Sequence, residues 1–277
     1  MNLKNKLSVM KFNKRLSLLM PFFLIALIFI VLPILLIIIR AFTPIDGFDS
    51  FKLVKSIKNW KFIGRSIFIG IIAALLCLVI ALPYSYFIAR NKSKILPIYA
   101  LSLMLSPMAI FTIAKIYAIR GFFLSIVPAD NLENIWFMIL ALTYLNLPFM
   151  IMPLYSILKD MPNNIIEASE DLGYNKFQTI VKVVMPYAYK AIISGFSLIF
   201  LSSATTFVIS DKLLSRPKQL QTIGSVINAY ANPTNEYDFA QVSTLVLVVI
   251  GVFIACYAII NFTPKIIKRL IRGGKNV

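Results

Sequence analysis

The densest set of residues able to do chemistry in this 277-residue chain runs from Glu167 to Pro186, EASEDLGYNKFQTIVKVVMP. It gathers Glu167, Glu170 and Asp171 with Gly173 and Asn175, in a chain that is 59% hydrophobic and only 14% charged. Catalysis is a poor use for these groups. The chain has no histidine, the commonest general base and metal ligand. It also has no GxxxxGK[ST] phosphate loop, so nucleotide hydrolysis is not expected of it. Cys77 and Cys256 both stand inside apolar blocks and read as packing residues, without a disulfide framework. No metal and no cofactor is expected. What the spacing does suit is recognition of another protein.

Two further residues stand out by position. Lys115 is the charge written furthest inside an apolar segment, and Asp211 lies just beyond another. Counting along an unbroken helix from Ile95 puts Lys115 near a membrane interface, where a lysine stem snorkels to water. Lining a solute path is the sharper role. For Asp211 the alternatives are a place on that path or a loop carboxylate paired with Lys212 or Arg216.

The elements that must position these groups are long apolar blocks. About 20 apolar residues cross a hydrocarbon core, and six blocks qualify, at about 17–39, 63–89, 95–119, 135–158, 188–210 and 240–263. The first follows a basic start, yet its run is too long for a signal peptide and no small-residue cleavage site follows. The expected class is an all-α integral membrane protein with six transmembrane helices. Its formal charge of +17 is spread over the loops, without the basic and aromatic patch that nucleic acid requires.

Orientation follows from Lys and Arg. With the N-terminus in the cytoplasm, 17 of the 28 basic residues fall on the cytoplasmic side, including Lys4, Lys6, Lys11, Lys14, Arg15, Lys159, Lys176 and the tail Lys265, Lys268, Arg269, Arg272 and Lys275. The lysines of segment 52–61 blur the bias. Both termini are expected in the cytoplasm, in a multi-pass membrane protein. Pro33, Pro83, Pro107, Pro148 and Pro153 each remove a backbone hydrogen bond and suggest bent helices around a cavity.

With this topology, residues 160–187 form the largest cytoplasmic loop. Pro162 suits the first turn of a helix, after Asp160 or Met161. Ile165, Ala168 or Ser169, and Leu172 share one face. Gly173 ends that helix by taking positive φ. Asn175 caps a second helix whose apolar face is Phe177, Ile180, Val181 and Val184, and Pro186 stops it. Two amphipathic helices joined at a glycine elbow suit docking in a groove, or lying passively on the membrane surface.

The stretch resembles the EAA loop of permease subunits of binding-protein-dependent ABC importers, whose pattern is E-A-A, three residues, G, nine residues, I-x-L-P. Glu167, Ala168 and Ser169 stand at E-A-A, Gly173 at G, and Val183, Met185 and Pro186 at I-x-L-P. Ser169, Val183 and Met185 depart from the pattern conservatively. The resemblance implies a MetI-like permease domain at about 60–264, preceded by a segment 1–59 with the first span and an outer loop, and followed by a basic tail, 265–277. It also implies that these seven residues couple the chain to a separate ABC ATPase dimer. A second permease subunit, a different chain, and an external substrate-binding protein are implied as well. LPFMIMPLYSILKDMPNNIIEASEDLG (147–173), FVISDKLL (207–214), KIYA (115–118) and TIGSVI (222–227) are similar to the first permease subunit of spermidine/putrescine importers. Polyamine as substrate rests on that subgroup likeness. The outer side carries seven carboxylates against eleven basic residues, which is no acidic funnel for a polycation. An importer for another small solute, a membrane-embedded enzyme, and an ion-coupled carrier or channel are the rival classes. The last two lack the intramembrane acidic group or catalytic pair they would need.

Overall fold

The computed structural model describes residues 19–43, 49–128, 132, 134–214, 220–231 and 235–273, the side chains of Glu236 and of 263–273 excepted. Lys4, Lys6, Lys11, Lys14, Arg15, Asp46, Asp130, Glu133, Arg216 and Lys275, and the side chains of Lys265, Lys268, Arg269 and Arg272, therefore lie outside the described residues. Among the described residues the chain is helical, with no strand. The elements are α1 (Met20–Phe42), α2 (Lys52–Lys55), α3 (Ile57–Ala89), α4 (Ile95–Leu105), α5 (Thr112–Ile126), α6 (Ile135–Lys159), α7 (Asn163–Asp171), α8 (Lys176–Tyr187), α9 (Tyr189–Thr205), α10 (Val208–Leu213), α11 (Ile223–Tyr230) and α12 (Glu236–Gly273).

Four helices are long and apolar enough to cross a membrane: α1, α3, α6, and α12 over Tyr237–Phe262. Two bent pairs bring the number to six if each is one span. One is Lys176–Tyr187 with Tyr189–Thr205, bent by 79° at Ala188, so α9 serves as the span while α8 leaves it at an angle. The other is Ile95–Ala109 with Thr112–Ile126, bent by 104°. The span expected at 95–119 is thus broken, next to one of the prolines expected to bend a helix. Pro107 opens a 3₁₀ turn at Ser106–Ala109. Ile110 and Phe111 then take ψ of 138° and 135°, which no helix accommodates. The distance count that put Lys115 near an interface loses its premise. Pro83, Pro148 and Pro153 instead sit inside continuous helices.

The chain divides into two compact units, Met1–Lys55 with Asn232–Val248, and Ser56–Ala231 with Val249–Val277. In the first, α1 is apolar all round and its spanning window buries nothing, as a lipid-facing helix should. Thr244 Oγ1 donates to the Ser50 carbonyl at 2.7 Å, and Lys55 pairs with Asp49 at 2.7 Å.

The second unit is built on α3, α6 and α9. One stripe of α3 carries Ser66, Gly70, Ala74, Cys77, Ala81 and Ser85, all buried. Small residues at such spacing let helix backbones approach closely, which is how membrane helices gain dispersion energy without a hydrophobic drive. A Cβ on Gly70 would stand 2.9 Å from the Phe200 carbonyl oxygen of α9. Ile69 and Ala73 join Met138, Ile139, Ala141 and Leu142 of α6 in the core. Cys77 Sγ donates to the Thr143 carbonyl at 3.4 Å, the buried packing role expected of it. On the far side of α9, Asn261 Nδ2 donates to Ser197 Oγ at 3.1 Å, and Phe200 meets Phe253 edge-on.

Candidate functional site

The helix pair of residues 162–187 forms as the local sequence dictates. Gly173 has φ +77° and is the described glycine with positive φ. Gly173 N–H donates to the Glu170 carbonyl at 2.8 Å and Tyr174 N–H to the Ser169 carbonyl at 3.1 Å, the paired bonds of a Schellman ending. Asn175 then starts α8 with a full capping box, its Oδ1 accepting from Gln178 N–H at 2.8 Å while Gln178 Oε1 accepts from Asn175 N–H at 3.1 Å. Orphan backbone groups at both sides of the elbow are satisfied within the ten residues Ser169 to Gln178, so the bend is built rather than loose.

Three details differ from expectation. Pro162 is the N-cap of α7, extended at ψ 140°, and the helix begins at Asn163. A proline φ fits either place, and the adjacent turn at Asp160 decides. The buried face of α8 is Thr179, Val184 and the following Ala188, not Phe177 and Val181. A π-helical turn at Ile180–Val184 shifts the phase of the side chains, so a 3.6-residue count drifts off the true face. Helical structure also runs past Pro186 to Tyr187 and bends at Ala188.

The residues at the motif positions divide into two sets. Glu167, Ala168, Gly173 and Pro186 are exposed, and Val183 and Met185 are half-buried. Ser169 is buried and does structural work: its Oγ donates to the Ile166 carbonyl at 2.7 Å and meets Thr179 Oγ1 at 3.1 Å, tying α7 to α8. Around the elbow, Leu172 and Phe177 are each 74% exposed. Exposed large apolar side chains on a rigid, acidic-edged bend make a surface suited to a protein groove.

A second site lies in the α5, α6, α9 and α10 region. A cavity of about 290 Å³ is lined by Thr112, Lys115, Asn146, Ser202 and Thr206, with Met108, Leu142, Leu145, Phe149 and Ile209 supplying the apolar wall. Lys115 is half-buried there. Asn146 is held fast: its Nδ2 donates to the Leu142 carbonyl at 3.0 Å and to Ser203 Oγ at 3.2 Å, and its Oδ1 accepts from Ser202 Oγ at 3.1 Å. The lining contains a cation and several neutral polar groups, and no carboxylate among the described residues.

Asp211 does not line this cavity. It sits on α10, whose Ile209 does, and its Oδ1 accepts from Ser225 Oγ at 2.6 Å and Ser210 Oγ at 3.4 Å. A hydroxyl of α11 therefore holds it, and Arg216, one of the two cations expected as its partner, lies outside the described residues. Thr222 Oγ1 donates to the Thr206 carbonyl at 3.1 Å, and Ser66 Oγ accepts from Ile223 N–H at 3.0 Å. Sequence reasoning singled out TIGSVI without seeing that its Thr and Ser hydroxyls anchor the cavity wall. It missed Asn146 and Ser202 altogether. Polar residues inside apolar blocks were the available signal.

A family model described as "Binding-protein-dependent transport system inner membrane component" matches residues 66–273. The chain is 30% identical over 275 residues to the "Spermidine/putrescine transport system permease protein PotB homolog" of Mycoplasma genitalium, covering 94% of this chain and 95% of that one. It is 29% identical over 254 residues to the Escherichia coli K12 protein of the name PotB, covering 83% and 91%. Among solved structures, a chain of a bacterial ABC transporter involved in the import of the acidic polysaccharide alginate superposes with a TM-score of 0.62 at 14% identity, covering 100% of this chain and 99% of that chain. At that identity the likeness speaks for the fold alone.

Proposed function

Because the chain belongs to the family of binding-protein-dependent transport system inner membrane components, we propose that its elbow is the contact through which a separate ATPase drives it. The chain is a multi-pass permease subunit of an ABC importer, a transport component rather than an enzyme. In this reading the permease domain spans about 60–264, the elbow and both termini face the cytoplasm, and hydrolysis belongs to an ATPase dimer docked on residues 162–186. Glu167, Ala168, Ser169, Gly173, Val183, Met185 and Pro186 are the coupling residues. The observation that carries this is the built elbow: a Schellman ending and a capping box back to back, displaying Leu172 and Phe177 outward. A rigid bend transmits a push that a floppy loop would absorb.

A second permease chain completes the pathway, and an external binding protein delivers the solute. Spermidine or putrescine is the substrate this reading assigns, on the strength of the named relatives. The cavity belongs to the pathway in this account, with Asp211 supporting its wall. Lys115 beside it repels a polycation, so the solute is passed on rather than held, as conduction requires. That same lysine favours a second reading, an importer of a neutral or anionic small solute.

Reconstitution with ATPase, second permease and binding protein separates the two. Polyamine reading and all, labelled spermidine should accumulate only with ATP inside the motor compartment. Lys115→Gln should leave that uptake equal or faster, because a repulsive charge is removed. Uptake abolished by Lys115→Gln overturns the repulsive role given to that lysine, and ATP-driven transport of an anion in place of polyamine overturns the polyamine assignment.

A further inference from the structure

Arg90 closes α3 and reaches across to the root of the elbow. Its Nη1 donates to Asn163 Oδ1, and its Nη2 donates to the Met161 carbonyl at 2.7 Å. Asn163 is the first residue of α7, and Met161, 2% exposed, lies in the link between α6 and α7. The third donor, Nε, is buried and has no acceptor among the described residues. Buried N–H groups are nearly always paired. A fork kept at that cost is kept for where it sits, and two bonds from one rigid plane resist rotation as a lysine cannot.

The N-terminal third of α3 is also tethered, at Arg65 and Ser66. Arg65 Nη1 donates to the Gln221 carbonyl at 3.3 Å, and Ser66 Oγ accepts from Ile223 N–H at 3.0 Å. Between these residues stands Thr222, whose hydroxyl holds the carbonyl of the cavity-lining Thr206. From Ser66 to Arg90 the helix is roughly 36 Å long at ~1.5 Å per residue. The rod has no covalent route to the elbow, since α6 and α9 are the helices that continue from it.

We infer that α3 is a push-rod, with Arg90 its grip on the elbow and Ser66 its grip on the cavity wall. This rests on the docking role proposed for the elbow and adds the route by which motion there reaches the solute path. Both residues are positioning residues: they touch neither solute nor nucleotide. When the motor moves α7, Arg90 carries α3 with it, and Ser66 moves the 221–223 segment that fixes Thr206.

The test is uptake per ATP hydrolysed, in proteoliposomes holding the full importer and labelled spermidine. Arg90→Ala should lower that ratio about tenfold and Ser66→Ala roughly two- to tenfold, the scales of a lost hydrogen bond to a charged group and of a lost neutral one. The double variant should be no worse than the poorer single one, because both cut one linkage. Lys92→Gln, exposed and outside the linkage, should match wild type. Arg90→Lys should recover less than half of the coupling, and combining it with Asn163→Asp should recover most of it by re-forming the link as an ion pair. Should Arg90→Ala fail to assemble, that Lys–Asp pair against Arg90→Lys alone still decides. An unchanged ratio in Arg90→Ala, a double variant that multiplies the two single losses, or absent rescue overturns the push-rod. Wild-type vesicles without ATP-driven spermidine uptake would instead refute the polyamine assignment beneath the assay.

Discussion

Gly173 offers a test in which two causes of damage rank the same variants differently. Its φ of +77° lies where L-residues are strained, and a Cβ built there meets nothing within 4 Å. Crowding inside this chain therefore contributes nothing, and the whole intramolecular penalty is backbone strain. That strain is about 1–2 kcal/mol for an ordinary L-residue, least for Asn and most for a β-branched side chain. Replacing glycine also stiffens the unfolded chain, which offsets up to ~1 kcal/mol. Gly173→Ala should thus lower the ratio of bent to unbent elbow by up to roughly thirtyfold where the offset is absent, and by little where it is complete. Gly173→Asn should be nearly silent, and Gly173→Val the worst of the three. The assay is the amount of ATPase retained by tagged permease at matched expression, read beside uptake. The expected order of damage is Asn, then Ala, then Val. If glycine were needed for close approach of a partner, the order would follow size, and Ala would be milder than Asn. That second order, or a Val variant with normal retention and uptake, refutes the argument from φ.

Ser169→Ala removes the hydroxyl bridge between α7 and α8 and leaves Thr179 Oγ1 buried without it. It should weaken retention by the equivalent of about 0.5–1.5 kcal/mol, and Thr179→Val in the same chain should restore part of the loss in a double-mutant cycle. Gly70→Ala sets a Cβ 2.9 Å from the Phe200 carbonyl oxygen, whereas Gly195→Ala meets the Met150 sulfur at 2.7 Å. A thioether end gives way and backbone does not, so detergent-solubilised Gly70→Ala should lose about 1–3 kcal/mol of stability and Gly195→Ala clearly less. With Cys77 and Cys256 replaced, a single cysteine at Lys176, exposed on the elbow, should resist an impermeant thiol reagent in intact cells, and one at Lys52 should be labelled. Opposite labelling would invert the orientation.

The chain's own sequence was enough to determine membrane class, the six apolar blocks and the elbow, because each depends on residues close together in the chain. A span needs only enough consecutive apolar residues to cover the hydrocarbon, and the bend at Gly173 is completed by bonds among Ser169, Glu170, Gly173, Tyr174, Asn175 and Gln178. The faces of the spans were harder to read, since lipid and core are both apolar and the pattern does not alternate; small residues along α3 were the clue left. Only tertiary structure decided the break at Ile110, which puts Lys115 on a separate helix against Asn146 and Ser202. It alone decided that Ser225 holds Asp211, that Ser169 is a strut of the elbow, and that Arg90 grips Met161 and Asn163. Arg90 and Met161 are 71 residues apart in the chain, and Ser66 and Ile223 are 157. Hydrogen bonds across such separations depend on how helices are laid side by side, and nothing in the neighbouring residues encodes which distant carbonyl or hydroxyl will arrive.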